Sequence, residues 1–291
     1  MRLGVILAGG RGSRFGDPLK CLRPVCGVPM LLRVAAALQP HVDELVVATT
    51  RRHGPIVWLA ETWGMRVVYT EGAGYEADFK QLVGLAPAVI ASCDLPFLEP
   101  QHVERLLRGR VMTTALSNGE PVGLTWLPNR DTDKWEAVEL GPLLNVNSRS
   151  DWAEAEGLCG GRPTYPLVVD PSTLLPHEDS GEPPEYADIR PIVVEAWTCV
   201  VLDGHHRLEF AKRRGIPIPV VPMAYSALDV YMGDGSAASR LEVLSAAAKG
   251  KPLGLRATRH YYKGLHVSQL NHVVLSLQSL ASAKPLRCNP L

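Results

Sequence analysis

Residues 3–16 read LGVILAGGRGSRFG, and this stretch decides the fold of the first half of the chain. Residues 3–8 predict a buried strand, and the glycines that follow let the backbone turn sharply and approach an anion closely. Successive N–H groups in such a turn can surround phosphate groups. Arg11, Arg14 and Lys20 would add charge-assisted hydrogen bonds. The stretch therefore predicts a loop that binds a triphosphate.

This loop differs from the two standard nucleotide motifs, because Phe15 stands where Gly-x-Gly-x-x-Gly needs its third glycine and no Gly-x-x-x-x-Gly-Lys-Ser/Thr sequence occurs. It resembles instead the Leu-Ala-Gly-Gly-x-Gly-x-Arg-Met/Phe-Gly…Lys signature of the GT-A-type nucleotidyltransferases. Those enzymes move a nucleoside monophosphate from an NTP to a phosphorylated acceptor. The resemblance implies catalytic roles for Arg14 and Lys20. It also implies nucleotide contacts from Leu7, Ala8, Gly9, Gly10, Arg11 and Gly12. The alternative is a tight turn that binds nothing.

Short apolar runs continue this pattern through the first half. We expect strands at 44–49, 66–69 and 87–93, and helices at 29–38 and 100–109. Strands that alternate with helices indicate βαβ units and a mostly parallel sheet. The predicted first domain is therefore α/β and Rossmann-like, with ligands bound at the carboxyl ends of its strands.

Two polar residues follow at positions where this fold would hold a metal ion. Residues 92–98 (SCDLPFL) resemble the family's strand-end metal motif, and the Asp94 carboxylate suits Mg²⁺ that bridges phosphates. Residues 144–151 (LNVNSRSD) resemble the family's Asn-Val-Asn segment, which implies Asn147 as the second metal-side residue. Residues 121–124 resemble the strand beneath the acceptor. A helix N-cap for Asp94 and a cap or turn for Asn147 are the alternatives.

Within that family, the motifs in residues 1–156 look most like the archaeal guanylyltransferases of cobalamin synthesis. That resemblance implies GTP as donor, adenosylcobinamide phosphate as acceptor and Mg²⁺ as cofactor. The acceptor phosphate would attack the α-phosphorus in line and release pyrophosphate. Molybdenum-cofactor and sugar-phosphate nucleotidyltransferases share much of the pattern and remain alternatives, and the residues alone do not fix guanine.

A glycine-rich segment at 157–165 predicts a linker between a first domain at 1–156 and a second at 166–291. In the second half we expect helices at 205–214 and 236–249 and strands at 166–169, 191–194, 199–202 and 217–222. Residues 203–207 read DGHHR and open the first of these helices, and a helix N-terminus is a natural anion site. The adjacent residues His205 and His206 also make a transition-metal site an alternative interpretation, and a simple capped helix is a further one.

Four motifs of the second half occur in a characteristic order: Pro-His-Glu at 176–178, Pro-Ile-Val-Val at 191–194, Leu-Asp-Gly-His-His-Arg at 202–207 and Thr-Arg-His at 258–260. The series resembles the free serine kinases of archaea and their smaller α+β, ParB/sulfiredoxin-like fold. The resemblance implies Glu178 as the general base on an amino-acid hydroxyl. The other implied residues are Asp203 (catalytic), Gly204, His205, His206 and Arg207 (nucleotide), and Thr258, Arg259 and His260 (substrate).

One segment departs from those kinases. Family members place a regular helix between the first two motifs, whereas Gly181, Pro183 and Pro184 disfavour a helix at 179–190. The pocket wall and the identity of the amino acid therefore stay open.

Together the halves predict a bifunctional enzyme of cobalamin biosynthesis, because an aminopropanol phosphate arm can derive from threonine phosphate. It would transfer GMP to adenosylcobinamide phosphate and phosphorylate free L-threonine or L-serine, with ATP or ADP as phosphoryl donor. The alternative is another NTP transferase, for the molybdenum cofactor or a sugar phosphate, fused to a ParB-like nucleotide-sensing or DNA-binding module. One half could also be catalytically inactive and act as a sensor.

Composition excludes several other classes. Thirty Lys and Arg balance thirty Asp and Glu, so no basic excess supports nucleic-acid binding. Six scattered cysteines without a Cys-x-x-Cys pair argue against structural zinc, and we expect no disulfides. The first apolar run is too short for a signal peptide or a membrane span, so we expect a cytoplasmic protein. The expected partners are small molecules, and a homodimer remains open.

Overall fold

The computed structural model describes residues 1–289 and divides the chain into two compact units. Unit 1 comprises 1–25, 29–61 and 65–159, and unit 2 comprises 26–28, 62–64 and the residues from 160 onward. The short segment 62–64 joins unit 2 because the fully buried Trp63 donates its indole N–H to Ala196 O at 2.8 Å. The sequence patterns did not predict that the short segments 26–28 and 62–64 belong to unit 2.

The strands of residues 1–159 are β1 (Leu3–Leu7), β2 (Pro24–Val25), β3 (Val28–Pro29), β4 (Glu44–Thr49), β5 (Arg66–Tyr69), β6 (Ala88–Ser92), β7 (Met112–Ser117), β8 (Glu120–Leu127) and β9 (Trp135–Glu139). The helices are α1 (Met30–Leu38), α2 (Gly54–Thr62), α3 (Tyr75–Leu82), α4 (Pro100–Leu106) and α5 (Arg149–Gly157). The strands and helices predicted from apolar runs in this half all occur, with ends that differ by up to three residues.

Unit 1 is built on a seven-stranded sheet of order β5-β4-β1-β6-β8-β7-β9. Strands β5, β4, β1 and β6 are parallel, as predicted, whereas β8 pairs antiparallel with β6 and β7 antiparallel with β8. All five residues of β1 are buried, because strands flank it on both sides and apolar side chains cover both faces. The carboxyl ends of β1, β4 and β6 therefore meet at one edge, where the glycine loop begins.

The strands of residues 160–289 are β10 (Leu167–Val169), β11 (Leu175–Pro176), β12 (Asp188–Ile189), β13 (Ile192–Glu195), β14 (Val200–Asp203), β15 (Ile218–Met223), β16 (Asp229–Met232), β17 (Thr258–Tyr262), β18 (Leu265–His266) and β19 (Leu275–Ser276). The helices are α6 (His205–Arg214), α7 (Arg240–Ala248) and α8 (Leu277–Ser282). Helix α7 begins four residues later than predicted, because Asp234 accepts the Ser236 N–H and holds a turn ahead of it.

Unit 2 has a five-stranded sheet of order β10-β15-β13-β14-β11, a three-stranded sheet β16-β17-β18 and a two-stranded pair β12-β19. Helix α6 begins after Gly204 and ends at Gly215, and both glycines adopt left-handed backbone angles. Residues 179–187 contain no helix, in agreement with their prolines and glycine.

Disulfides contradict the expectation that the cysteines stay unpaired, since no described cysteine is free. Cys21 bonds to Cys93 in unit 1, and Cys199 bonds to Cys288 in unit 2. The partners lie 72 and 89 residues apart in the chain, so only tertiary folding brings them together. None of the helices within residues 1–289 is long and apolar enough to cross a membrane.

Candidate functional sites

The first site begins where β1 ends. Leu7 lies level with Ala48 of β4 and Ser92 of β6, so three parallel strands end side by side. The Ala8 carbonyl accepts hydrogen bonds from Thr49 Oγ1 at 3.0 Å and from His53 Nδ1 at 3.2 Å. These contacts fix the loop at the edge of the sheet where open α/β folds bind ligands.

One glycine of this loop is sterically required, and a second is closely packed. Gly12 has φ +59°, and a Cβ there would overlap the Asp17 carbonyl, because the chain folds back to donate the Asp17 N–H to Gly12 O. A Cβ on Gly9 would lie 3.0 Å from Thr70 Oγ1. Gly10, by contrast, is exposed and faces open space.

A charged pair lies beside the loop. Lys20 Nζ donates to Asp94 Oδ2 at 2.6 Å and to the Val146 carbonyl at 2.9 Å. Ser92 Oγ donates to the other carboxylate oxygen, and Asp94 O accepts the Val146 N–H. Asp94 caps no helix; Glu99 caps α4 instead. The loop after β6 thus places a carboxylate at the edge of the sheet, where it meets the Lys20 ammonium.

Arg14 and Asn147 also meet. Arg14 Nη2 donates to Asn147 Oδ1 at 3.1 Å, although 133 residues separate them in the chain. Asp151 Oδ2 accepts the N–H groups of Asn147 and Ser148 and so holds this segment. Burial raises the pKa of Asp151, but these hydrogen bonds outweigh it and lower that pKa. The N-cap of α5 is Ser148, so Asn147 keeps its amide for other contacts.

The two pairs, Lys20 with Asp94 and Arg14 with Asn147, line a cavity of about 460 Å³ in unit 1. Of the residues predicted to bind nucleotide or metal, those that line it are Leu7, Gly10, Gly12, Arg14, Lys20, Asp94 and Asn147. Arg11 is exposed outside it, and Ala8 and Gly9 are buried beneath the loop, where their backbone supports it. The sequence predictions did not include Tyr75, Asp78, Asn145 or the Cys21–Cys93 disulfide, which line the same cavity.

The oxygen groups here fit Mg²⁺. Asp94 supplies a carboxylate whose Oδ2 already attracts a cation, the Lys20 ammonium. Asn145 Oδ1 is buried with no hydrogen-bond partner among the described residues. Asn147 adds a second amide oxygen. Hard oxygen ligands of this kind are those that Mg²⁺ prefers. The signal for Asn145 was present in the sequence, since it opens the Asn-Val-Asn segment.

The second site is a cavity of about 550 Å³ in unit 2. Strand β11 runs parallel to β14, and the chain after it carries His177 and Glu178 past Val201. Backbone hydrogen bonds from Leu253 N to His177 O and from Asp179 N to Leu253 O fix this segment. The predicted residues that line the cavity are Glu178, Asp203, Gly204, His205, His206, Arg207, Thr258 and Arg259.

Glu178 is held tightly in the wall of this cavity. Its Oε1 accepts both the backbone N–H and the hydroxyl of Thr258, each at 2.7 Å. Burial raises the pKa of Glu178, but His177 at 3.4 Å, the hydrogen bonds from Thr258 and the nearby His205 outweigh it and lower that pKa well below its usual range. The contacts around Glu178 therefore favour its carboxylate form.

Burial disfavours charge on two histidines beside it. Burial is the main cause that lowers the pKa of His205 far below its usual value and that of His260 to about 3. His205 Nε2 has no hydrogen-bond partner among the described residues, while His260 Nε2 contacts the Tyr225 hydroxyl at 3.1 Å. His260 is 1% exposed and does not line the cavity, so the structure places this predicted substrate residue behind the wall.

The turn at 203–207 positions the remaining groups. Gly204 has φ +101°, and a Cβ there would lie 2.5 Å from Ile192 Cγ2, which explains the glycine. Arg207 Nη2 donates to Asp203 Oδ2 at 2.7 Å, and Arg207 Nη1 donates to the Arg190 and Pro191 carbonyls. The guanidinium is thus oriented at the cavity before any anion binds.

The transition-metal alternative finds no support. Among residues 1–289, no group of three or more His, Cys, Asp or Glu side chains is arranged to hold a metal ion. His205 is buried against Glu178, whereas His206 next to it is half-buried. Neighbouring positions on a helix point in different directions, which separates the two rings.

Comparison with known proteins concerns the first unit. Residues 4–144 match the family described as MobA-like NTP transferase domain. A probable molybdenum cofactor guanylyltransferase of Haloferax mediterranei is 38% identical over 119 residues, which are 38% of this chain and 55% of that protein. The molybdenum cofactor guanylyltransferase of Burkholderia ambifaria is 33% identical over 109 residues, 35% of this chain and 53% of that protein.

The chain thus spans about half the length of the curated relatives that it matches. A solved nucleotidyl transferase structure from Methanothermobacter superposes on 54% of this chain and 96% of its own, with 23% identity and a TM-score of 0.45. The family and the curated relatives indicate a nucleotidyltransferase-like α/β domain in the first half, and their names fit the molybdenum-cofactor alternative better than cobalamin synthesis.

Proposed function

We infer that unit 1 transfers GMP from GTP to a phosphorylated acceptor. The observation that carries this proposal is the Lys20–Asp94 pair, which lies at the edge of the sheet beside the glycine loop and the Asn147 amide. A cation and hard oxygen ligands next to a cradle of N–H groups suit a triphosphate and its metal. The names of the relatives support guanine as the base.

The reaction that we propose uses this arrangement. An acceptor phosphate oxygen attacks the α-phosphorus of GTP, the bond from that phosphorus to the bridging oxygen breaks, and pyrophosphate leaves with the electron pair. Arg14 and Lys20 would neutralise charge on the phosphates, and Asp94 with the Asn145 and Asn147 amides would hold Mg²⁺. When bound, Mg²⁺ withdraws charge from the phosphate oxygens and orients the triphosphate. The main task of the protein is to position the two substrates and to neutralise the charge of their phosphates.

The acceptor we favour is the molybdenum cofactor, because the curated relatives are named as its guanylyltransferases. Cobinamide phosphate is the second candidate, on the motif resemblance and on the second cavity in the same chain. Incubation of the purified chain with GTP, Mg²⁺ and each acceptor separately, read by pyrophosphate release and mass spectrometry of the product, decides between them. No GTP-dependent pyrophosphate with either acceptor would exclude both.

For unit 2 we propose phosphoryl transfer from ATP or ADP to the hydroxyl of a free amino acid, with L-threonine favoured over L-serine. The supporting observation is that the Glu178 carboxyl group and the Gly204–Arg207 helix N-terminus line one cavity. Backbone donors there and Arg207 suit nucleotide phosphates, and a carboxylate suits removal of a hydroxyl proton. Among the described residues after α6, helices α7 and α8 are separated by three strands, which disfavours the DNA-binding alternative.

Phosphorus NMR of the chain with ATP or ADP, Mg²⁺ and threonine, serine or no amino acid tests this second proposal. A new phosphomonoester that requires the amino acid is the expected result. Turnover of serine at least as fast as threonine would reject the preference for threonine, and no phosphomonoester with either would reject the kinase.

A further inference from the structure

His177 lies at the centre of the buried cluster behind the second cavity, and none of the roles above uses it. Its side chain is 0% exposed. The ring meets His205 and His260 edge to face, with ring centroids 4.8 Å and 5.7 Å away. A residue buried this deeply among polar groups must satisfy both ring nitrogens.

The hydrogen-bond directions around His177 can be assigned from its partners. Nδ1 lies within hydrogen-bond distance of the Val201 carbonyl, which only accepts, so Nδ1 carries a proton. Nε2 lies 2.8 Å from Thr258 Oγ1, whose single proton is donated to Glu178 Oε1. The hydroxyl oxygen must therefore accept from Nε2. Both ring nitrogens then carry protons, which makes the ring an imidazolium.

A neutral arrangement would require the proton to sit on Glu178 Oε1 and the Thr258 hydroxyl to point at His177. That oxygen also accepts the Thr258 backbone N–H at 2.7 Å, a contact that favours a carboxylate over a carboxylic acid hydroxyl. The Nε2–Oε1 separation of 3.4 Å adds direct attraction between the two charges. The contacts thus favour an ion pair bridged by one hydroxyl.

We propose that His177 is a buried imidazolium that fixes Glu178 as a carboxylate in the wall of the second cavity. The inference rests on the kinase function proposed for that site and makes His177 a positioning residue that touches no substrate. Thr258 holds Oε1, which leaves Oε2, 3.9 Å from His205 Nδ1, as the oxygen that can take the hydroxyl proton. The bridge would set both the orientation and the protonation state of the base.

The groups that face His177 agree with one positive charge in this cluster. Glu178 on its own segment is the counter-ion, and strand β14 contributes the Val201 carbonyl. Helix α6 contributes His205 and strand β17 contributes His260, and burial lowers the pKa of both rings.

The direct test is nitrogen NMR of the whole chain, labelled at its nine histidines. The His177 signals are identified by their loss in His177→Gln, or by through-space contacts to the neighbouring rings if that variant does not fold. At pH 7.5 both ring nitrogens should show the shifts of protonated nitrogens. A ring with one unprotonated nitrogen at that pH would overturn the proposal.

The second test is the pH profile of amino-acid phosphorylation. In His177→Gln the acid limb of kcat should move up by roughly 1–3 pH units, because an opposite charge close by lowers a carboxyl pKa by about that amount. The value of kcat should fall roughly 100-fold with little change in KM for the nucleotide. Thr258→Val, which keeps the backbone donor but removes the bridge, should move the limb less. If the acid limb of kcat in His177→Gln stays at the wild-type pH, His177 does not have the positioning role that we propose.

His272→Gln is the matched control, since His272 is also buried in unit 2 but does not line the cavity. It should lower stability without moving the limb. If it moves the limb as far as His177→Gln, the effect is structural and the proposal fails. If the wild-type chain phosphorylates no amino acid, the kinase function fails while NMR still decides the charge of His177. If the chain is active and His177 is neutral, this inference fails alone.

Discussion

The two cavities differ in how their charged side chains are held. In unit 1, charged groups from segments far apart in the chain meet at the carboxyl ends of strands, and Lys20 and Asp94 neutralise each other where both still line the cavity. In unit 2, the anion Glu178 is held from behind by buried groups, and Thr258 takes up one of its oxygens. The difference is that the charged pair of the first site lines its cavity directly, whereas Thr258 already bonds one oxygen of Glu178 in the second.

The largest effect should come from Asp94→Asn, which removes the carboxylate that pairs with Lys20 and would hold Mg²⁺. We expect GTP-dependent pyrophosphate release to fall about 10³-fold, since a preorganised charge at the reacting phosphates is lost. Phosphorylation in unit 2 should stay within twofold. Asp133→Asn, at an exposed position, is the control. Activity of Asp94→Asn within tenfold of wild type would show that the pair is not part of the reaction.

Glu178→Gln should give the reverse pattern. Loss of the proton acceptor should lower amino-acid phosphorylation about 10²-fold or more while nucleotidyl transfer continues. Glu209→Gln is the control, because Glu209 pairs with Arg213 on α6 and does not line the cavity. Simultaneous loss of both activities in a folded Glu178→Gln protein would contradict two independent sites. The measurement is both assays on one preparation.

We expect the stability of unit 2 to fall in acid, because the folded state disfavours protonation of His205 and His260. His205 and His260 have pKa values lowered in the folded state, to about 3 for His260, so the unfolded state takes up more protons between about pH 3 and 6.5. Their contribution to stability is complete above pH 6.5 and is lost as pH falls, by up to about 1.4 kcal/mol per pH unit for each ring. Hydrogen exchange of peptides from β17 and α6 at pH 7, 6, 5 and 4 should show this.

The control for that experiment is His260→Phe, which fills the same space without a titrating nitrogen. Its β17 peptides should lose protection less steeply with acid than those of the wild type. Equal slopes in the two proteins would mean that His260 does not take up a proton on opening.

The smallest expected effect is that of Gly12→Ala. A Cβ there would overlap the Asp17 carbonyl, and the left-handed φ of +59° costs a non-glycine residue about 1–2 kcal/mol. Gly10→Ala is the matched variant, because no atom lies within 4 Å of the added carbon. Thermal unfolding should therefore respond to the first change and not to the second. Equal midpoints for both would show that the loop relaxes freely.

Local signals were enough for much of this molecule. The apolar run at β1 and the glycines after it predicted the strand and the loop, and Gly204 and Gly215 marked both ends of α6. These features depend on neighbours in the chain, through backbone sterics and burial. The individual site residues were proposed from motif resemblance, and the structure gathers most of them into two cavities. It places Ala8, Gly9, Arg11 and His260 outside them.

The sequence by itself determined where buried strands give way to turns rich in N–H donors, because strand and turn formation are decided within a few residues. Contacts across long separations depend on tertiary folding, and they include the Cys21–Cys93 and Cys199–Cys288 disulfides, the Arg14–Asn147 hydrogen bond and the bridge from His177 through Thr258 to Glu178. Sequence patterns show which side chains and backbone groups are available in each segment. Which proton, cation or sulfur each group meets depends on the packing of segments some 70 to 130 residues apart.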